Sequence, residues 1–296
     1  MNSKYVTCPI NNLPSKCYAS KGRAAYYIEP VDGIIFQREI PTVVEMEMFN
    51  QREYKNGCYH AYFEMEHLKK RTADRRLNYI RQYGKQKGHL LDVGCSVGFF
   101  LEVAQDSGFD VQGVELSSQA ISMAKESVKN KIFHADANEH IRNYGAHYDV
   151  VTAYDIIEHT QNPTGFLRDL YDALRSGGVV AIATPDTDHF LRYVMGKHWS
   201  MLQPMQHTFL FSKRSIEAML TKTGFEDILV LPAKKTVTLN YLFGQLSQTN
   251  PIISRFYHYV SKLVPSWIGD APVEINIGEF FAIARKPFAL DSRQAK

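Results

Sequence analysis

The chain has 296 residues, 45% of them hydrophobic and 22% charged, with a net charge of +3. That length holds one large α/β domain with modest additions, and the charge lacks the strong basic bias of a dedicated nucleic-acid binder, so no nucleic-acid partner is expected. No apolar run approaches the ~20 residues of a membrane helix, no signal-peptide pattern opens the sequence, and the four cysteines lack disulfide-framework spacing, so a cytoplasmic protein is expected.

Residues 1–50 carry Pro9, Pro14, Pro30 and Pro41 and a short extended run at Gly33-Ile-Ile-Phe36. Cys8 and Cys17 stand here without any C-x-x-C pair, and Cys58 and Cys95 fall elsewhere, so four zinc ligands cannot be assembled locally and no metal is assigned. Residues 51–86 are aromatic and basic and read as a helical cap, with Met65, Leu68, Ala73, Leu77 and Ile80 near helical spacing. Tyr54, Tyr59, His60 and Tyr62 either close over a ligand or pack this cap on the core.

The stretch from His89 to Phe100 is the most informative. Leu90, Leu91 and Val93 form the apolar run of a strand covered on both faces. Gly94 and Gly98 allow a sharp turn and a close ligand approach. Phe99, Phe100, Leu101, Val103 and Ala104 then suit a helix packed back on the sheet. Strand, glycine turn and helix in that order form the nucleotide-binding corner of open α/β sheets. A dinucleotide turn reads G-x-G-x-x-G, and here Ser96 stands at the second glycine, so no pyrophosphate seat is evident. The next strand, Phe109 to Leu116, ends on Glu115, a carboxylate able to accept from both hydroxyls of a ribose.

Further along, start and stop signals mark helices: Ser117 before Ala120, Ile121, Ala124 and Val128; Pro163 before Phe166, Leu167, Leu170 and Leu174, closed by Gly177-Gly178; Ser212 before Ile216, Met219 and Leu220, closed by Gly224. Strands alternating with helices imply a parallel sheet. Residues 236–246 and 251–264 read as two short helices broken at Asn250-Pro251, followed by a strand over Gly278–Arg285. These helices either lid a cleft or pack an apolar flank.

Leu90-Leu-Asp92-Val-Gly94-Cys-Ser-Val-Gly98, followed by Val111-Gln-Gly-Val-Glu115-Leu-Ser, resembles a class I S-adenosylmethionine (SAM) methyltransferase. Tyr148-Asp-Val-Val-Thr-Ala-Tyr-Asp-Ile-Ile-Glu-His159 is similar to that family's fourth strand and exit loop, and Leu174-Arg-Ser-Gly-Gly178 with the strand to Pro185 to its fifth-strand junction. These motifs stand in the family's order and resemble the bacterial type 11/type 12 subgroup, whose members include enzymes of cell-surface sugars and small metabolites. The resemblance implies a Rossmann-like seven-stranded sheet with helices on both faces and the last strand antiparallel. The methyltransferase domain is expected over 87–290, with a helical insertion at 236–265. The two N-terminal cysteines resemble a degenerate, metal-free remnant of a zinc ribbon found in relatives.

The cofactor implied is SAM. By resemblance Asp92 holds the methionine amine, directly or through water, while Gly94, Cys95, Ser96 and Gly98 lie against the methionine moiety and ribose. Glu115 accepts the ribose hydroxyls, Leu116 meets the adenine face, and Asp136 with Ala137 follows the third strand beside the adenine amino group. Tyr154 and Asp155 end the fourth strand beside the sulfonium. A hydroxyl acceptor needs a base, for which His is suited near neutral pH. His159 and His207 are the candidates, each with an equally plain structural role in ordering its loop. The acceptor is expected to be a small molecule or a saccharide; its identity and the oligomeric state stay open.

Three other readings remain. The loop Asp155-x-x-Glu158-His159 resembles that of quinone-pathway O-methyltransferases that use a divalent metal, which permits a metal-assisted catechol methylation. Tyr193-x-x-x-Lys197 offers a foothold for an NAD-linked or nucleotide-sugar oxidoreductase, against which the missing dinucleotide turn counts. The last is a non-catalytic SAM-binding protein.

Overall fold

The computed structural model describes residues 6–42, 44–46, 48–49, 65–240 and 269–289. Strands β1 (Val6–Thr7), β2 (Pro14–Lys21), β3 (Ala24–Glu29) and β4 (Ile34–Gln37) form an antiparallel meander. Helix α1 (Glu66–Gln82) follows with Leu68, Ala73, Leu77 and Ile80 buried, the stripe its spacing predicts. The main sheet then takes β5 (Gly88–Val93), β6 (Phe109–Glu115), β7 (Ile132–His134), β8 (Tyr148–Tyr154), β9 (Leu174–Pro185), β11 (Glu226–Thr238) and β12 (Pro272–Arg285). After α7 (Phe190–Met195), a two-residue strand, β10 (Phe209–Leu210), lies outside the main sheet and pairs antiparallel with β4, Phe209 opposite Phe36 and Leu210 opposite Ile35.

The order across the main sheet is β11-β12-β9-β8-β5-β6-β7. β5 to β9 are mutually parallel, and β12 runs antiparallel between β9 and β11. From β5 the chain steps outward through β6 and β7, then returns to β8 on the other side of β5. The connections therefore diverge between the carboxyl ends of β5 and β8, the place where open α/β sheets receive ligands.

Alternation along the strands divides the core. Leu91, Val93, Val151 and Ile182 face α5 (Ala137–Tyr144), α6 (Pro163–Ala173) and α8 (Lys213–Thr223), through Ile141, Leu167, Leu170 and Ile216. Leu90, Val111, Val150 and Phe281 face α1, α2 (Phe99–Asp106) and α4 (Glu126–Lys129), through Leu77, Ile80, Leu101 and Val128. Each such side chain, fully buried, contributes roughly 1.5–3 kcal/mol relative to exposure. A smaller core joins Ala19, Tyr26 and Ile35 of the N-terminal sheet to Trp199, Leu202 and Leu210.

Several elements depart from expectation. The helix expected after Ser117 is broken at Ala124 and Lys125, both extended, giving α3 (Ser118–Met123) and α4. The break sets the Lys125 ammonium against Glu66 and Glu102. Residues 236–238, assigned above to a helix, end β11; Thr236-Val237-Thr238 is a β-branched run that pairs with β12. The rest of the 236–265 insertion lies largely outside the described residues, as do Tyr54, Tyr59, His60 and Tyr62. Among the described residues no helix is long and apolar enough to cross a membrane.

Candidate functional site

Val93 of β5 lies opposite Ala153 of β8, so the turn after β5 and the end of β8 stand side by side. Gly94 has φ 71°, and a Cβ there would meet the Ile156 side chain at 2.1 Å. Ser96 and Asp155 hold φ of 53° and 59°, left-handed values uncommon for side-chain-bearing residues and often found at functional sites. Gly113 of β6 makes room for Cys95, whose sulfur would lie 2.5 Å from any Cβ placed there. Cys95 is therefore a small packing residue, closing the turn onto β6.

These elements and α1 enclose a cavity of about 140 Å³ lined by Asp92, Gly94, Cys95, Ser96, Tyr154 and Asp155, with Lys69, Thr72 and Arg76 from α1 and Lys235 to Val237 from β11. Asp92 is buried and accepts a hydrogen bond from the Thr152 hydroxyl at 2.6 Å. Burial pushes its carboxyl up to about 7, against the pull of Thr152 and Arg76. Asp155 is held by Arg76 at 3.4 Å and Lys235 at 3.3 Å. Burial would raise it, but Lys235, Arg76 and Lys69 together hold it well below the usual carboxylate range. Glu279 of β12 completes the network, paired with Lys235 and 3.7 Å from Arg76. The Arg76 guanidinium also lies 4.4 Å from the Tyr154 ring centroid. Among the described residues, the Tyr154 and Thr236 hydroxyls and the Glu279 carboxylate oxygen that faces Arg76 are buried there without a hydrogen-bond partner. Buried polar atoms are seldom left so, and two of these residues line the cavity; a polar ligand would satisfy them.

The other expected cofactor residues lie outside this lining, and all but the buried Gly98 form an exposed or half-buried rim. Glu115 accepts from the backbone amides of Ser96 at 2.9 Å and Ser117 at 2.8 Å, which fixes its carboxylate beside the glycine turn. Gly98, with φ 84°, opens α2. Leu116 is 62% exposed, although a large apolar side chain gains from cover. Asp136 caps α5 through the Asn138 amide at 2.8 Å, and Ala137 begins that helix. The chain thus gathers Asp92, Gly94, Cys95, Ser96, Tyr154 and Asp155 around the cavity, and sets Gly98, Glu115, Leu116, Asp136 and Ala137 outside its lining.

His159 and His207 come from separate loops and meet, ring centroids 4.9 Å apart; neither lines the cavity. His159 Nδ1 lies 2.9 Å from the Gln206 carbonyl and His207 Nδ1 2.8 Å from the Met201 carbonyl. A carbonyl only accepts, so each Nδ1 carries the proton and each neutral ring keeps its lone pair on Nε2. Burial lowers the pKa of both rings, that of His207 down to about 3 with His159 contributing. Beside them Glu158 is buried, bonded to the Thr184 hydroxyl at 2.8 Å, and burial with the nearby Asp155 charge pushes it up to about 8. Ligand atoms of Glu158, His159 and His207 all lie within 4.8 Å of one another.

The sequence reading overlooked Arg76, Lys235 and Glu279. Arg76 sits in an evidently basic helix where nothing separates a buried arginine from its exposed neighbours. Lys235 and Glu279 become neighbours only through the β11–β12 pairing.

The methyltransferase-domain family model matches residues 65–230, more than half of the chain. The ubiquinone biosynthesis O-methyltransferase of Nitrosospira multiformis is 30% identical over 225 residues, covering 72% of this chain and 93% of that protein. That of Yersinia pestis (strain Pestoides F) is 29% identical over 189 residues, covering 61% and 69%. Among solved structures, a SAM-dependent methyltransferase from Archaeoglobus fulgidus superposes with a TM-score of 0.52 at 18% identity, covering 76% of this chain and 99% of that one. One from Thermotoga maritima gives 0.53 at 15% identity, covering 79% and 97%; both show the shared fold. With the glycine turn, the acidic end of β6 and the inserted antiparallel β12 all in place, the chain belongs to the class I SAM-dependent methyltransferases, of the type 11/type 12 kind.

Proposed function

We propose that the protein methylates a hydroxyl of a small-molecule acceptor, with His159 as the base. The observation that carries this reading is the pair of imidazoles whose Nδ1 atoms lie against backbone carbonyls, beside the carboxyl ends of β8 and β9. The named O-methyltransferase relatives support oxygen as the receiving atom.

The residues fit the cofactor. The cavity can receive the amino-acid end of SAM: Asp92 takes its ammonium, and Arg76 with Lys235 its carboxylate, which shares them with Asp155 and Glu279. The Tyr154 and Thr236 hydroxyls take the remaining polar contacts. Glu115 receives the ribose hydroxyls, and Leu116, Asp136 and Ala137 flank the adenine along the open rim. SAM supplies an already activated methyl group, so the chain's task is to align the acceptor and remove its proton. His159 serves because its fixed tautomer leaves Nε2 unprotonated at neutral pH. His207, pushed down to about 3, is too weak a base and orders the loop beside it.

A second reading has a specific observation in its favour. Glu158, His159 and His207 are spaced as a carboxylate and two imidazoles around a divalent cation, each ring already tied through Nδ1 as metal-ligating histidines are. A cation there would lower the pKa of an acceptor hydroxyl.

Calorimetry with SAM, followed by a screen of phenolic and sugar acceptors with methyl-labelled SAM, tests the proposal. His159→Ala is expected to lower kcat by about 10²–10⁴-fold, the usual worth of a general base, with SAM affinity unchanged. Unchanged turnover in both His159→Ala and His207→Ala rejects the base. Activity lost on exhaustive chelation and restored by a divalent cation selects the metal-assisted reading.

A further inference from the structure

The N-terminal sheet lies outside the matched methyltransferase domain, yet it reaches the histidine pair through one buried side chain. Gln37, at the end of β4, is 2% exposed. Its side-chain amide donates to the His207 carbonyl at 2.7 Å, and its backbone amide donates to the Thr208 carbonyl at 3.0 Å. Thr208 carries the connection onward. Its amide donates to the Glu158 carbonyl at 2.8 Å, and its hydroxyl lies 2.6 Å from the Thr160 carbonyl and 3.2 Å from that of Glu158. Residue 159 is therefore bracketed by two peptides bonded to Thr208, while its ring hangs from the Gln206 carbonyl. Three consecutive residues, 206 to 208, hold His159 from both sides, and Gln37 grips two of them.

We propose that Gln37 is a positioning residue for the His159–His207 pair, so that the N-terminal sheet completes the acceptor side of the methyltransferase site. This rests on the reading of His159 given above. The β4–β10 pairing aligns the two segments in register, and the Thr208 amide ties the N–H side of the preceding peptide to Glu158. The Gln37 side chain holds the carbonyl side of that peptide, next to the one that receives the His159 proton. A displacement of about 1 Å at such a point costs on the order of 10²-fold in rate.

The test uses the full chain and needs no acceptor. Gln37→Leu keeps the volume and removes the donor. The readouts are the imidazole titrations of His159 and His207 by NMR, assigned with His159→Gln and His207→Gln, and calorimetry with S-adenosylhomocysteine. In folded Gln37→Leu the His159 midpoint is expected to move further down, because the Gln206 contact that raises it is weakened, with affinity for S-adenosylhomocysteine unchanged. Gln37→Glu provides the second variant: its protonated carboxyl donates to the His207 carbonyl and its ionised form repels it. Both rings should then show wild-type signals below the ionisation of residue 37 and shifted signals above it. Titrations that superimpose on wild type in both variants overturn the proposal, as does a loss of S-adenosylhomocysteine affinity in step with the histidine shifts, which marks general loosening. Wild-type protein that binds neither SAM nor its demethylated product defeats the reading of the site instead, and the titrations then still decide the role of Gln37.

Discussion

Asp92 is a buried carboxylate with one hydroxyl donor, and the proposed function gives it a ligand ammonium. Burial pushes its pKa up to about 7, so near neutral pH this carboxyl takes up a proton that an ordinary aspartate would not. A cation binding beside it favours the ionised form and drives the proton out. SAM affinity should therefore weaken as pH falls below about 7, approaching tenfold per unit while one proton must be displaced. Binding near pH 7 should release a fraction of a proton, read as a dependence of calorimetric enthalpy on buffer ionisation. Asp92→Asn should bind more weakly at pH 8 and lose the slope, because the amide has nothing to titrate. A slope that persists in the variant assigns the proton elsewhere, with Glu158, pushed up to about 8, the nearest alternative.

At the scale of elements, the junction between β4 and β10 joins the two sheets. Phe36 stacks between Tyr27 at 6.1 Å and Phe209 at 6.4 Å, centroid to centroid, and is fully buried. Phe36→Ala should cost about 3–5 kcal/mol, the range for a large aromatic removed from a packed core, measurable by urea denaturation. Faster amide exchange at Phe209 and Leu210 than at β5 would localise the damage to this junction; equal exchange would show one cooperative unit. The same junction marks where sequence reading stopped. The strand, glycine turn and helix from Leu90 to Ala104 were legible because apolar periodicity, turn glycines and an acidic strand end are all local signals. So were α6 and α8, each opened by a side-chain cap and, in α8, closed by Gly224. β10 was not, since two residues cannot show a period, and β1 to β3 carry too much mixed polarity to read as strands. His159 and His207 were each found from their loops, but their contact is a tertiary fact. So is the pairing of Lys235 with Glu279, which depends on β12 running antiparallel against β11.

For the whole molecule, cofactor binding and stability are one equilibrium seen twice. A ligand that binds only the folded state stabilises it by RT ln(1 + [L]/Kd), about 2.7 kcal/mol at a hundredfold excess over Kd. A chain of this size has a large unfolding entropy, so each kcal/mol moves Tm by roughly 2–4 °C. S-adenosylhomocysteine at that excess should raise Tm by roughly 5–10 °C in a concentration-dependent way, while NAD, lacking a pyrophosphate seat at Ser96, should leave it unchanged. Gly94→Ala separates the site from the scaffold. The new methyl meets Ile156 and demands a φ of 71° from alanine, so the turn must shift at the seat proposed for the methionine end. The variant should fold with a lowered Tm and lose the ligand-dependent rise. A variant that keeps the full rise would place the cofactor away from this turn, and a rise with NAD that exceeds the one with S-adenosylhomocysteine would return the chain to dinucleotide chemistry.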